Sequence, residues 1–290
     1  MRDQAEKLRQ QLANQSRENN AKTIAIVSGK GGVGKSNITV NLALSLKNQQ
    51  KNVLIFDLDI GMGNIDILLG HQSNHSITEL FTSPKYRITD LIEQDKNELH
   101  YISGGSGLLD IFTMNQSMQA HFFTEFQSLL TKYDYILFDM GAGASKESLF
   151  FIMATDECIV VSTPEPTALT DAYGMIKQMV NNSYKMPIKI IMNRSPSVKI
   201  GYRALSGLSD VIQQFLKVKV VALGVLPEDR IVSKAVMNQI PYVLYKKEAP
   251  VSKAMKEIAE KYAIDKDYAS EQVRDNRSFI QKLKQFILEG

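Results

Sequence analysis

The sequence predicts an α/β fold, a doubly wound and mainly parallel β-sheet with helices on both faces. From residue 21 to about 264, short apolar runs rich in Ile and Val alternate with longer amphipathic stretches. Runs that are apolar at every position are typical of strands that helices cover on both sides. Strands that alternate with helices indicate repeated strand–helix–strand units, which build such a sheet.

Seven segments have the composition of parallel strands: Thr23–Ser28, Val53–Asp57, Leu99–Ser103, Tyr135–Asp139, Cys158–Ser162, Ile188–Asn193 and Val220–Leu226. The stretches between them include five candidate helices: Ser36–Asn48, Gln119–Lys132, Thr167–Asn181, Tyr202–Leu216 and Val251–Ala263. Ligands of doubly wound sheets bind beyond the carboxyl ends of the strands, so the residues that follow the strands are the candidates for chemistry.

Composition narrows the function classes. The 290-residue chain has 34 basic and 31 acidic residues, a net charge of +3 that does not indicate a nucleic-acid surface. The one cysteine, Cys158, lies in an apolar run and is expected to be a core thiol, which excludes an intrachain disulfide and a cysteine-rich metal site. We find no secretory signal and no run of about 20 apolar residues, so we expect a cytoplasmic protein with at most peripheral membrane contact.

A glycine-rich run follows the first strand at once and opens the first helix: Gly29-Lys30-Gly31-Gly32-Val33-Gly34-Lys35-Ser36. This strand–loop–helix context is that of a phosphate-binding loop, or P-loop, and predicts a P-loop NTPase. Backbone amides and the helix N-terminus cradle phosphates, Lys35 reaches the β- and γ-phosphates, and Ser36 holds Mg²⁺. We expect ATP or ADP and Mg²⁺ as cofactors, with these nucleotide-binding residues: Gly29, Gly31, Gly32, Val33, Gly34, Lys35, Ser36 and Asn37.

Carboxylates follow two of the predicted strands. Asp57 and Asp59 end the second strand, and strand alternation places both on the side that faces the phosphates. We assign Asp57 to the water shell of Mg²⁺. Asp139 comes after four apolar residues, which is the Walker B pattern, and is expected to hold Mg²⁺ through water.

A second lysine, Lys30, stands near the start of the loop, where an ordinary P-loop does not need one. The run resembles the deviant Walker A motif of the MinD/ParA group of ATPases, and the resemblance covers most of residues 21–290. It implies an ATP-dependent homodimer in which Lys30 contacts the nucleotide of the other chain. Lys30, Lys35 and Asp59 would be the catalytic residues, with Asp59 orienting water in a slow, switch-type hydrolysis. The resemblance also implies adenine-binding positions at the ends of two later strands: Asn193, Pro227 and Asp229.

Both ends of the chain carry helical patterns. The last thirteen residues place five apolar side chains on one helical stripe: Phe279, Ile280, Leu283, Phe286 and Ile287. Lys282 and Lys284 lie off that stripe, so the segment 278–290 reads as a membrane anchor after a polar linker, residues 265–277. Docking on the protein's own core is the alternative for this helix.

The first 20 residues are polar and include the run Asp3-Gln4-Ala5-Glu6-Lys7-Leu8-Arg9. This segment resembles the activator segment of the FlhG (YlxH) type, the MinD-like ATPases of flagellar assembly. That resemblance implies a role in flagellar number and placement, with the GTPase FlhF stimulated through Gln4. It also implies contact with the C-ring proteins FliM and FliN or FliY, and with the inner membrane surface. We therefore divide the chain into an activator segment 1–20, an ATPase domain 21–264, the linker 265–277 and the membrane-targeting helix 278–290.

Three alternatives belong to the same wider group. MinD itself, the ATPase of division-site selection, is disfavoured by the activator segment and by Met62-Gly63, where MinD usually has Leu-Arg. A ParA-type DNA-segregation ATPase would carry a basic DNA-binding surface, which the charge of +3 disfavours, so no nucleic-acid partner is expected. An iron–sulfur or nitrogenase-reductase relative needs at least two cysteines per chain.

Overall fold

The computed structural model describes residues 20–58, 64–82, 85–104, 111–112, 114–143, 145–264 and 278–289. Within these ranges eight strands form one sheet: β1 Lys22–Val27, β2 Val53–Leu58, β3 Glu93–Gln94, β4 His100–Ser103, β5 Tyr135–Met140, β6 Glu157–Ser162, β7 Ile188–Ser195 and β8 Val221–Pro227. The order across the sheet is β3-β4-β2-β5-β1-β6-β7-β8. All neighbours are parallel except β3 and β4, so the predicted fold class is confirmed.

The described helices lie between the strands and after them: α1 Lys35–Lys47, α2 Ile65–Leu69, α3 Thr78–Thr82, α4 Gln116–Leu130, α5 Lys146–Ala154, α6 Pro166–Asn181, α7 Val198–Leu216, α8 Arg230–Met237, α9 Tyr242–Tyr245, α10 Pro250–Ile264 and α11 Phe279–Glu289. A short 3-10 helix, Ile88–Leu91, precedes β3. The five predicted helices and the C-terminal helix are all present.

Capping side chains explain why two helices begin earlier than predicted. The Asn115 side chain accepts a hydrogen bond from the backbone N–H of Met118 at 3.0 Å and starts α4. The Ser197 hydroxyl accepts one from Ile200 at 3.2 Å and starts α7. Side chains of this kind satisfy the free N–H groups of a first turn, which a search for apolar periodicity does not detect.

The helices cover both faces of the sheet. Helices α1 and α10 bury Leu42 and Met255 against one face, and α4 to α7 bury large side chains such as Phe126 against the other. Cys158 of β6 is completely buried, as expected for a core thiol, and burial raises the pKa of its thiol well above the usual value. The core therefore lies on both sides of the strands whose carboxyl ends carry the predicted site.

Helix α11 docks on this same core. Its Phe279 ring lies 5.0 Å from Phe126 of α4 and 5.3 Å from Phe138 of β5, between ring centroids. Phe279 is 2% exposed and Leu283 is fully buried. In the described conformation the stripe expected to enter a membrane, which is Phe279, Ile280, Leu283, Phe286 and Ile287, thus faces the protein. The sequence had left core docking as the alternative, because an apolar stripe has the same pattern in both cases.

The basic residues of α11 also depart from the expectation. Lys282 is 3% exposed, and its Nζ lies 3.4 Å from the backbone O of Thr155 and 3.8 Å from the carboxylate of Asp156. Lys284 lies over the Phe123 ring at 4.9 Å. One of the two lysines expected on a solvent-facing surface is therefore part of the docked contact. Within the described ranges, no helix combines the length and the apolar character needed to cross a bilayer.

Candidate phosphate-binding site

The P-loop lies at the carboxyl edge of the sheet, between β1 and α1. Strand β1 sits between β5 and β6, so the ends of three parallel strands surround the loop. The loop residues from Gly29 to Gly34 are mostly exposed or half-buried, whereas Val33 and the Lys35 side chain are buried. This is the crevice in which open α/β sheets bind ligands.

Two glycines of the loop have no substitute. Gly34 has φ +92° and a Cβ there would lie 2.5 Å from the Asn193 amide nitrogen. A Cβ on Gly29 would lie 2.1 Å from the backbone O of Asp171 in α6. The chain thus requires glycine for a left-handed turn at one position and for close packing at the other.

The N-terminus of α1 is open to an anion. Its N-cap residue is Gly34, which supplies no side-chain hydrogen bond, and the first turn holds no acidic residue. The Asn37 side chain contacts the next turn of the helix, where its Oδ1 accepts a hydrogen bond from the Asn41 side-chain amide at 3.1 Å. Unsatisfied N–H groups and the helix dipole both favour a negative ligand here.

A buried ion pair joins Lys35 to Asp139, the last but one residue of β5. The Lys35 Nζ lies 2.9 Å from Asp139 Oδ1, with side-chain exposures of 7% and 0%. Asp139 Oδ2 is buried and has no hydrogen-bond partner among the described residues. The Thr39 hydroxyl of α1 lies 3.1 Å from Asp139 Oδ1. The sequence had not assigned Thr39, although its spacing of one helical turn from Lys35 is a signal that both share a face.

The two assigned metal carboxylates are brought together. Asp57 and Asp139 are register partners in the β2–β5 pair, and Asp57 Oδ2 accepts from the backbone N–H of Ile65 at 3.2 Å. The described residues contain no cluster of three His, Cys, Asp or Glu that would enclose a metal by itself. Mg²⁺ does not need one, since it keeps several waters and takes one or two carboxylates plus substrate phosphates. These oxygen donors, including Asp139 Oδ2 with no partner among the described residues, therefore fit Mg²⁺, with Ser36 at the loop.

Lys30 lies on the opposite rim of the site. Its Nζ is 3.4 Å from the Thr167 hydroxyl and 3.9 Å from the Glu165 carboxylate, with the lysine side chain 45% exposed. Exposed contacts of this kind are worth little, so the side chain can leave them readily. Lys30 is thus held away from Lys35, at the surface.

The expected adenine positions meet at the ends of β7 and β8. Ser195 and Pro227 are register partners, which places Asn193 and Asp229 near neighbouring strand ends. The Asn193 amide nitrogen donates to the backbone O of Val33 at 2.8 Å, so it braces the P-loop and leaves Oδ1 for a base. Asp229 Oδ1 caps α8 by accepting from Ile231 at 2.9 Å, whereas its Oδ2 is buried without a partner among the described residues. Both residues thus have a structural contact that the sequence did not predict.

Some predicted residues lie outside the described ranges. These are Asp59 of the second strand's end and Gln4 of the N-terminal segment, together with the linker 265–277 and Gly290. Their assignments stay predictions.

Comparison with known proteins agrees with this geometry. The ParA family model, described as NUBPL iron-transfer P-loop NTPase, matches residues 19–263. The antiactivator FleN of Pseudomonas aeruginosa is 29% identical over 82% of this chain and 85% of its own length. The flagellum site-determining protein YlxH of Helicobacter pylori is 30% identical over 72% of this chain and 78% of its own.

Solved structures give the same result. MinD of Pyrococcus horikoshii, solved as a complex with Mg-ADP, has a TM-score of 0.65 and 26% identity, covering 85% of this chain and 96% of that one. MinD of Aquifex aeolicus has a TM-score of 0.67 and 25% identity, covering 85% and 98%. The chain therefore belongs to the MinD/ParA family of P-loop ATPases and is of the FlhG (YlxH) type.

Proposed function

We propose that the chain is a switch-type ATPase that binds Mg·ATP, dimerises around the nucleotides and hydrolyses them slowly. The buried Lys35–Asp139 pair beside an uncapped helix N-terminus carries this proposal. At one edge of the sheet it brings together a cation, the backbone N–H groups of a helix N-terminus and a carboxylate that can hold Mg²⁺. Phosphoryl transfer needs all three groups. A relative of the same fold was solved with Mg-ADP, which supports the choice of ligand.

Each residue has a defined part in this cycle. The loop amides and Lys35 bind the β- and γ-phosphates, and Ser36, Asp57 and Asp139 would hold Mg²⁺. The metal, when bound, neutralises charge that develops on the phosphate oxygens. Asp59 orients the attacking water in line with the leaving group.

Dimer formation would explain why Lys30 lies exposed at the surface. Within one chain the polar partners of the Lys30 side chain among the described residues are Thr167 and Glu165, and both contacts are weak. A second chain that closes over the nucleotide would receive this cation at the transferring phosphate. A cation supplied from another chain couples hydrolysis to assembly, in the manner of an arginine finger.

The docked helix α11 supplies a membrane switch. Phe279 and Leu283 cannot be buried in the core and in a bilayer at the same time, so docking and membrane insertion compete. Helix α5 holds α11 through Phe150, which stacks on Phe286 at 5.3 Å, and begins at Lys146, just after the loop that follows Asp139. A nucleotide-dependent movement of that loop would therefore loosen the docking surface. Two released helices in one dimer bind a bilayer through effective concentration.

We assign the ATPase to flagellar number and placement. FleN, which is 29% identical to this chain, is named as an antiactivator, and YlxH, which is 30% identical, is named as a flagellum site-determining protein. On the FlhG pattern, residues 1–20 stimulate FlhF through Gln4, and the dimer contacts FliM and FliN or FliY. An iron-transfer role is disfavoured because the one cysteine of the sequence, Cys158, is completely buried.

Division-site selection is the second candidate. The MinD structures of two organisms share the fold at TM-scores of 0.65 and 0.67, and several curated relatives are named MinD. The partner decides between the two candidates, since FlhF stimulation or C-ring binding belongs to the flagellar role alone.

Lys35→Ala should weaken ATP binding by roughly a hundredfold, because a charge-assisted contact to the phosphates is lost. Lys30→Ala is the matched control: the monomer should bind ATP normally but fail to dimerise. Calorimetry with Mg·ATP measures the binding, and size-exclusion chromatography with light scattering measures the dimer. Normal ATP binding by Lys35→Ala would contradict the assigned site.

Asp59→Ala should bind ATP, hydrolyse it at least tenfold more slowly and accumulate as a dimer, because the water is no longer oriented. Phosphate release and sizing in ATP and in ADP are the measurements. A variant that stays monomeric in saturating ATP would contradict the role given to Asp59.

Phe150→Ala should increase nucleotide-free binding to anionic liposomes by several-fold to about tenfold, because it removes an aromatic contact from the core side and leaves α11 itself intact. Phe215→Ala, an exposed phenylalanine of α7 that is 64% exposed, is the control and should change nothing. Deletion of residues 278–290 should abolish co-sedimentation in ATP. If the deleted chain sediments as well as the full chain, the membrane role is wrong.

Deletion of residues 1–20 should abolish stimulation of FlhF GTP hydrolysis while ATP binding stays normal, and Gln4→Ala should do the same. The turnover of purified FlhF in the presence of each variant is the measurement. Unchanged FlhF turnover would remove the flagellar assignment of this segment without affecting the ATPase proposal.

A further inference from the structure

Thr39 contacts the predicted metal carboxylate directly. Its Oγ1 lies 3.1 Å from Asp139 Oδ1 and 3.1 Å from the backbone O of Lys35, and Thr39 and Asp139 are both completely inaccessible to solvent. A hydroxyl has one proton, and both nearby oxygens only accept. The carboxylate is the stronger acceptor, since hydrogen bonds to an ionised group are about twice as strong as neutral ones. The proton of Thr39 therefore goes mainly to Asp139.

The two donors of Asp139 Oδ1 have different fates when a nucleotide binds. Lys35 Nζ, now 2.9 Å from Oδ1, is the group that turns to the phosphates. Asp139 then loses its ion pair while it stays buried, and a buried carboxylate without a partner is strongly disfavoured. Thr39 is fixed on α1 by its backbone and does not need to move. Its hydrogen bond to Oδ1 can therefore outlast the departure of Lys35.

We infer that Thr39 is a positioning residue for Mg²⁺. By holding Oδ1, it fixes the rotation of the Asp139 carboxylate and keeps Oδ2, which has no other described hydrogen-bond partner, available to the metal's water shell. The inference rests on the proposed function and adds to it: Asp139 Oδ1 has two donors, Lys35 until a nucleotide binds and Thr39 both before and after. Thr39 touches no reacting atom.

The same helix provides a control for a purely structural role. The Ser45 hydroxyl, also buried, donates to the backbone O of Asn41 at 2.7 Å, the same bond to the preceding turn that Thr39 can make to Lys35. Ser45 has no carboxylate beside it among its described hydrogen bonds. Loss of the Ser45 hydroxyl therefore reports what such a bond contributes to α1 alone.

The test compares Thr39→Val, Thr39→Ser and Ser45→Ala in the full chain. Calorimetry measures ADP affinity in EDTA and over a Mg²⁺ titration; ADP avoids hydrolysis. Thr39→Val should keep its metal-free ADP affinity within about twofold and should require about tenfold more Mg²⁺ for half-maximal enhancement of binding. Thr39→Ser should restore the parent Mg²⁺ dependence, and Ser45→Ala should never lose it.

An unchanged Mg²⁺ midpoint in Thr39→Val overturns the inference. An equal loss of ADP affinity in EDTA and in Mg²⁺ also overturns it, because it indicates a distorted loop. If Thr39→Val does not melt cooperatively, Thr39→Ala, which adds no bulk, takes its place with the same expected result. If the parent chain binds no ADP, the proposed function itself fails, and that outcome is distinct from normal binding with unaltered metal dependence.

Discussion

The site depends on one buried ion pair, Lys35 with Asp139. Removing two charges from water costs several kcal/mol per ion, and such pairs are often no more stabilising than apolar residues of the same size. The two side chains of this pair are 7% and 0% exposed, so we attribute the presence of the pair to the function of the site rather than to stability. The pair keeps both charges in place at the P-loop. Under the proposed function, phosphates would replace Asp139 as the partner of Lys35, and a cation would replace Lys35 as the partner of Asp139, so a nucleotide would enter a site whose charges are already balanced.

Much of this was predictable because it is local. The backbone conformation of the P-loop requires glycine, since a side chain at Gly34, with φ +92°, would be strained. The motif that meets this requirement consists of consecutive residues, so it can be recognised from the sequence. The strands β1, β2 and β5 are almost completely buried because helices cover both faces. The carboxylates near the carboxyl ends of β2 and β5 must therefore meet at one sheet edge. The sequence therefore predicted Lys35, Asp57 and Asp139 as neighbours, and the structure places them so.

Contacts between distant segments were not predictable. The stripe of α11 has the same pattern whether it meets lipid or protein, and only the fold shows Phe126, Phe138 and Phe151 assembled to receive Phe279. Strand β3 has two residues and no pattern to detect. Asn193 was expected at a base, yet its amide nitrogen braces the backbone of Val33, a contact across 160 positions that no motif records.

The nucleotide site and the docked helix share one strand. Phe138 of β5 stacks on Phe279 at 5.3 Å, and the next residue, Asp139, faces the P-loop. Strand β5 itself is not expected to move when the site changes, because it is hydrogen-bonded to β1 on one side and to β2 on the other. Helix α5 lies outside the sheet, after the loop that follows β5, and its Phe150 and Phe151 contact Phe286 and Phe279. Under the proposed function, a nucleotide-dependent movement would therefore reach α11 through the loop and α5, with β5 as the fixed element against which they move.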